Sequence, residues 1–150
     1  MRAPRRALSI TIVLPALAAG ACDEPLADIA GPSSNLTPTF SSIRQNIFES
    51  TDAAGRTACV ACHTTINRVP PAGMDLGGDA FGSLVNARST GRPGAIRVIP
   101  GDPENSYLIQ KLEGRPGITG LRMPFNGPPY LTEGQIRIIK RWIELGARND

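Results

Sequence analysis

The chain has 150 residues, 41% hydrophobic and 19% charged, with one histidine, three cysteines and a formal net charge of +3. Its length suits one domain with a modest core. Arg2, Arg5 and Arg6 are the only charged side chains of residues 1–21; without them the 16 basic residues fall to 13, level with the 13 acidic ones, so no global charge draws the remainder to nucleic acid.

Those three arginines precede an apolar run from Ala7 to about Ala21, the pattern of an export signal peptide over residues 1–21. The run is short for a membrane span. Leu17-Ala18-Ala19-Gly20-Ala21-Cys22 resembles the lipobox of bacterial lipoproteins, although Ala19 stands where leucine is preferred. Cleavage before Cys22 makes that thiol the lipidated N-terminus; a leftover thiol beside an ordinary cleavage site and an uncleaved anchor are the competing readings. The expectation is an exported protein on the periplasmic or cell-surface side of a bacterial membrane, held to that membrane by its lipid. Residues 22–38, with Gly31-Pro32-Ser33-Ser34-Asn35, carry no periodicity and read as a tether of about 50 Å when extended at roughly 3.3 Å per residue. Residues 39–150 then form the domain.

Phe40, Ile43 and Ile47 recur at helical spacing, which predicts an amphipathic helix from about Thr39 to Ser50 capped by Thr39 or Ser41. Asp52 to Thr57 is a turn, and after it comes Cys59-Val60-Ala61-Cys62-His63. C-x-x-C-H is the attachment pattern of a c-type haem: two thiols one helical turn apart can add to the two vinyl groups along one porphyrin edge, with the adjacent imidazole held under the iron. A structural zinc site needs a fourth ligand that the sequence does not supply nearby. A thioredoxin-like C-x-x-C follows a strand, not a turn.

Asp79 to about Ala87 predicts a short helix presenting Phe81, Leu84 and Val85. Ile96, Val98 and Ile99 form a short apolar segment, after which Asp102 as N-cap and Pro103 at the first position predict a helix carrying Tyr107, Leu108 and Leu112 on one face. Gly114 to Pro129 is a glycine- and proline-rich loop containing Met123-Pro124. Thr132-Glu133-Gly134-Gln135 has capping-box form and opens the clearest helix. Its apolar stripe of Ile136, Ile139, Ile143 and Ala147 is widened by Ile138, Trp142 and Leu145, while Glu133/Arg137, Lys140/Glu144 and Glu144/Arg148 are spaced for i,i+4 pairs on a solvated face. The fold class is mainly α.

With one histidine in the chain, His63 supplies one axial position of such an iron, and a methionine is the remaining soft ligand, either Met74 or Met123. The irregular loop around Met123 suits presentation of a thioether to the far face; gap-filling in the core is the competing role.

The order of C-x-x-C-H, Val98-Ile99-Pro100-Gly101-Asp102-Pro103, Arg122-Met123-Pro124 and Trp142-Ile143-Glu144-Leu145-Gly146-Ala147 resembles a class I monohaem cytochrome c domain, and within that group the planctomycete-type domains. The resemblance covers about residues 40–148. It implies a small helical domain wrapped around one covalent haem c, with Cys59 and Cys62 as thioether attachments and His63 and Met123 as axial iron ligands. It also implies first and last helices that cross near the haem.

The function so implied is one-electron transfer with unidentified redox proteins as partners, rather than enzymatic turnover. His/Met ligation closes both axial positions and favours a relatively high potential. The rival readings are a ligand sensor in which Met123 yields to carbon monoxide or nitric oxide, and a peroxidase-like haem enzyme with a displaceable sixth ligand; no distal histidine exists for the latter. Arg92, Arg97, Tyr107 and Trp142 have the chemistry to meet haem propionates.

Overall fold

A computed structural model describes residues 35–150. The expected signal peptide, Cys22 and most of the expected tether lie outside the described residues. Among the described residues four α-helices carry the architecture: α1 (Phe40–Ile43), α2 (Ala80–Leu84), α3 (Tyr107–Glu113) and α4 (Glu133–Glu144). Among the described residues there is no strand, only isolated bridges such as Val85 with Val98 and Arg88 with Ile96. No helix among them is long and apolar enough to cross a membrane.

The first predicted helix forms in two parts. Thr39 caps α1 by accepting from the Ser42 amide, and the chain passes directly into a π-helical turn, Arg44–Phe48. Two further amides at this helix start are met from the other end of the chain: Phe40 N–H donates to Asp150 Oδ1 (2.8 Å) and Ser41 N–H to the Asp150 main-chain oxygen (2.9 Å). An acidic side chain there also suits the partial positive charge of the helix terminus. Packing begins upstream of Thr39, because Leu36 belongs to the core.

The last helix forms as its capping box dictates. Gln135 N–H donates to Thr132 Oγ1 (3.1 Å) and Thr132 N–H to Gln135 Oε1 (3.0 Å). Ile136, Ile139, Trp142, Ile143 and Ala147 are buried, so the predicted stripe faces the core. Leu145 does not: it is 45% exposed, since the helix ends at Glu144 and Leu145 follows its last turn. The ring of Trp142 lies 5.6 Å from that of Phe40, which makes an edge contact with Phe81 at 5.2 Å. These three aromatics join α1, α2 and α4, and Trp142 Nε1–H donates to the Arg148 carbonyl (2.8 Å).

Two predicted details are corrected. The helix expected from Asp102 starts at Tyr107, with Ser106 as its N-cap. Asp102 caps a turn instead, accepting from the Asn105 amide, while the Ser106 hydroxyl donates to the Asp102 carbonyl (2.7 Å) and accepts from the Ile99 amide (2.9 Å). Those bonds fold residues 102–105 back on the preceding segment, where a helix cannot continue. On α4, Lys140 turns away from Glu144 toward α3, pairing with Glu113 (2.7 Å) and with Glu104 (3.0 Å). Arg115 joins the same two carboxylates, and Arg141 pairs with Glu144 at i,i+3. A tertiary network between α3 and α4 outcompetes part of the expected local pattern.

Candidate cofactor site

The Cys59 to His63 segment opens with a single 3-10 turn, Cys59–Ala61, and the His63 amide donates to the Cys59 carbonyl at 2.9 Å. That turn sets the two thiols about one turn apart, and both are free. It is anchored from behind by Arg56, whose side chain is fully buried. Arg56 Nε donates to Asp52 Oδ2 (3.0 Å), Nη2 to the Ile47 and Ser50 carbonyls, and Nη1 to the Thr57 carbonyl, with Cys59 Sγ 3.9 Å away. One guanidinium therefore ties the end of the first helical segment to the start of the motif. Burial pushes the Cys59 thiol pKa up, opposed by the Arg56 charge.

Met123 arrives on a separate loop. Gly114 ends α3 in the left-handed conformation (φ 69°) that glycine adopts without steric cost, and the following loop is strapped back along the helix. Lys111 Nζ donates to the Thr119 and Leu121 carbonyls, Arg122 Nε to the Leu112 carbonyl (2.7 Å), and the Met123 amide to the Lys111 carbonyl (2.9 Å). Beyond it, Gly127 lies so close to Tyr130 that a Cβ would stand 2.4 Å from the ring, and Asn126 Nδ2 donates to Thr57 Oγ1 (3.0 Å). This last bond joins the methionine loop to the cysteine loop.

Between the two loops lies a cavity of about 440 Å³, within the roughly 300–1,000 Å³ of ligand clefts. Its wall holds Cys59, Cys62 and His63, and both Met74 and Met123. Ile47, Phe48, Leu76, Leu112 and Leu131 make the rest largely apolar. Of the four side chains chosen by chemistry for propionates, Arg97 and Tyr107 line it. The other two do not: Arg92 is held by Gln110 and lies over the Tyr107 ring, and Trp142 serves the helix junction.

His63 is shaped by its burial, which holds its pKa below the usual histidine value. The main chain of Met74 and of Pro71 opposes this shift, whereas the Arg97 charge adds to it. Neither neighbour aligns as a hydrogen bond, and His63 Nδ1 is buried without a partner. Met74 belongs to the segment whose Leu76 amide donates to the His63 carbonyl (2.9 Å), while Met123 hangs from α3 through its amide bond to the Lys111 carbonyl (2.9 Å). No group of three or more His, Cys, Asp or Glu side chains among the described residues is arranged to hold a metal ion. The buried Arg56 and its Asp52 were missed by sequence reasoning; the available signal was an acid and a base four residues apart across Gly55. Comparison with protein-family models, curated proteins and solved structures yields no match to the chain.

Proposed function

We propose that the protein is a one-electron carrier built on one covalent haem c, with Cys59 and Cys62 as thioether attachments and His63 and Met123 as axial ligands. The observation that supports this reading is the convergence of two free thiols, an imidazole and a thioether from a separate loop on one apolar cavity. The donor set fits the group: thiols for two vinyl carbons, a half-buried neutral-favouring histidine for one side of an iron, and a soft sulfur for the other. Bound there, the haem supplies an iron that alternates between Fe(III) and Fe(II).

The chain's own residues do the remaining work. The cavity wall excludes water, which favours the less charged iron state. Arg56 fixes the backbone from which Cys59 projects, and the Lys111 and Arg122 contacts fix that from which Met123 projects. An apolar rim at Leu121 and Phe125, both exposed, leaves an edge of the cavity open to redox partners. Lipidation at Cys22 would hold the domain on the periplasmic or cell-surface side of a bacterial membrane through the tether.

Carbon monoxide separates the carrier from its rivals. With both axial positions closed, adding it to the reduced protein leaves the visible spectrum unchanged over minutes. A prompt spectral change would favour the sensor, and rapid peroxide turnover the peroxidase-like enzyme.

A further inference from the structure

A guanidinium carries five N–H groups, and one with no water around it needs an acceptor for each inside the protein. Arg56 is fully buried. Its Nε–H goes to Asp52 Oδ2 (3.0 Å), and the two protons of Nη2 go to the Ile47 (3.2 Å) and Ser50 (3.3 Å) carbonyls. One proton of Nη1 goes to the Thr57 carbonyl (3.2 Å), which leaves the other for Cys59 Sγ at 3.9 Å. The sulfur is thus the fifth acceptor. Asp52 is just as enclosed, since its second carboxylate oxygen accepts from the Ala54 (3.1 Å) and Arg56 (2.9 Å) amides. The pair is a fixed dipole with its positive end toward Cys59.

This shell suits a sulfur that has lost its proton. The free Cys59 thiol donates to the Ile47 carbonyl at 3.7 Å. In thioether formation the S–H adds across a vinyl double bond, the sulfur bonding one carbon and the hydrogen going to the other, so the product sulfur only accepts. The Ile47 carbonyl then keeps Arg56 Nη2–H, and the sulfur keeps Nη1–H. Attachment therefore leaves neither atom without a partner.

We infer that the buried Asp52–Arg56 pair sets the redox balance of the cavity's occupant: Arg56 donates an N–H to the Cys59 thioether sulfur, and Asp52 offsets the charge behind it. The inference rests on the haem reading. A positive charge beside a sulfur bonded to the porphyrin edge favours the less positive iron, and the carboxylate opposes it. Arg56 is in this sense a positioning and tuning residue that touches the attachment sulfur, not the iron.

The test uses the full-length holoprotein matured with haem c and reads the Fe(II)/Fe(III) ratio at fixed applied potential. Asp52→Asn, which leaves the guanidinium charge uncompensated, is expected to raise the ratio at least threefold. Arg56→Gln, which leaves the carboxylate, is expected to lower it at least threefold. A pair that only props up the fold gives a different pattern: both variants then loosen the cavity, admit water and lower the ratio together. The second readout is solvent exchange of the Arg56 guanidinium protons by NMR. One of them is expected to exchange at least tenfold faster in Cys59→Ala, whose haem is held through Cys62, than in wild type.

Shifts of the same sign in the two charge variants, or no shift in either, overturn the inference. So does Arg56 proton exchange that is the same in Cys59→Ala as in wild type, and this comparison decides the matter if the charge variants do not fold. A wild-type chain without covalent haem overturns the haem reading itself, and this inference with it.

Discussion

Met123→Ala is expected to abolish the weak far-red charge-transfer band of methionine-ligated ferric haem. It should also lower the midpoint potential by on the order of 100 mV, within the roughly 0.8 V over which axial ligation sets haem potentials. Met74→Ala is expected to keep the band. Both thioethers line the cavity, so proximity alone does not separate them. Their backbones do. Met74 lies two residues before Leu76, whose amide donates to the His63 carbonyl (2.9 Å), whereas Met123 is carried on a loop fastened to α3 through Lys111 and Arg122. On the proposed reading the second axial ligand comes from the Met123 loop. Optical spectra and potentiometry of the two variants check this; survival of the band in Met123→Ala with its loss in Met74→Ala would reverse the assignment.

The second large effect is on stability. Asp52→Asn is expected to destabilise the fold by about 3–5 kcal/mol, the usual consequence of removing one partner from a buried ion pair. Asp52 is 5% and Arg56 0% exposed at the side chain, and the pair joins at 3.0 Å. Asparagine keeps the shape but leaves a guanidinium uncompensated where Ile47, Ser50 and Thr57 offer only carbonyl dipoles. Because Arg56 also backs Cys59, the loss should loosen that side of the cavity. The double variant Asp52→Asn/Arg56→Met should be less destabilised than Asp52→Asn alone, since it removes the buried charge as well. Urea unfolding of the three proteins measures both expectations, and wild-type stability in Asp52→Asn would contradict them.

What the sequence revealed and what it concealed divide along physical lines. Local signals were readable: the Thr132/Gln135 capping box and the stripe of Ile136, Ile139 and Ile143 depend on neighbours a turn away. The Cys59 to His63 spacing placed its three side chains on one cavity wall without knowledge of the fold. Long-range competition was not readable. Lys140 has a suitable partner in Glu144, but it goes to Glu104 and Glu113, whose positions depend on how α3 docks. Asp102-Pro103 is a good helix start, overridden by the Ser106 hydroxyl bridging Ile99 and Asp102. The Arg97 and Thr90 bonds to Ala72 link residues with no common periodicity, so no pattern in the chain announces them.

The central claim is that this chain holds one haem covalently through Cys59 and Cys62. The measurement that meets it most directly is the reduced alkaline pyridine spectrum of the exported protein after denaturation and extraction with acidified organic solvent, produced in cells that attach haem c. A c-type spectrum is expected that stays with the polypeptide at one haem per chain and disappears in Cys59→Ala/Cys62→Ala. Haem that extracts away from the wild-type chain, or no haem at all, would contradict it.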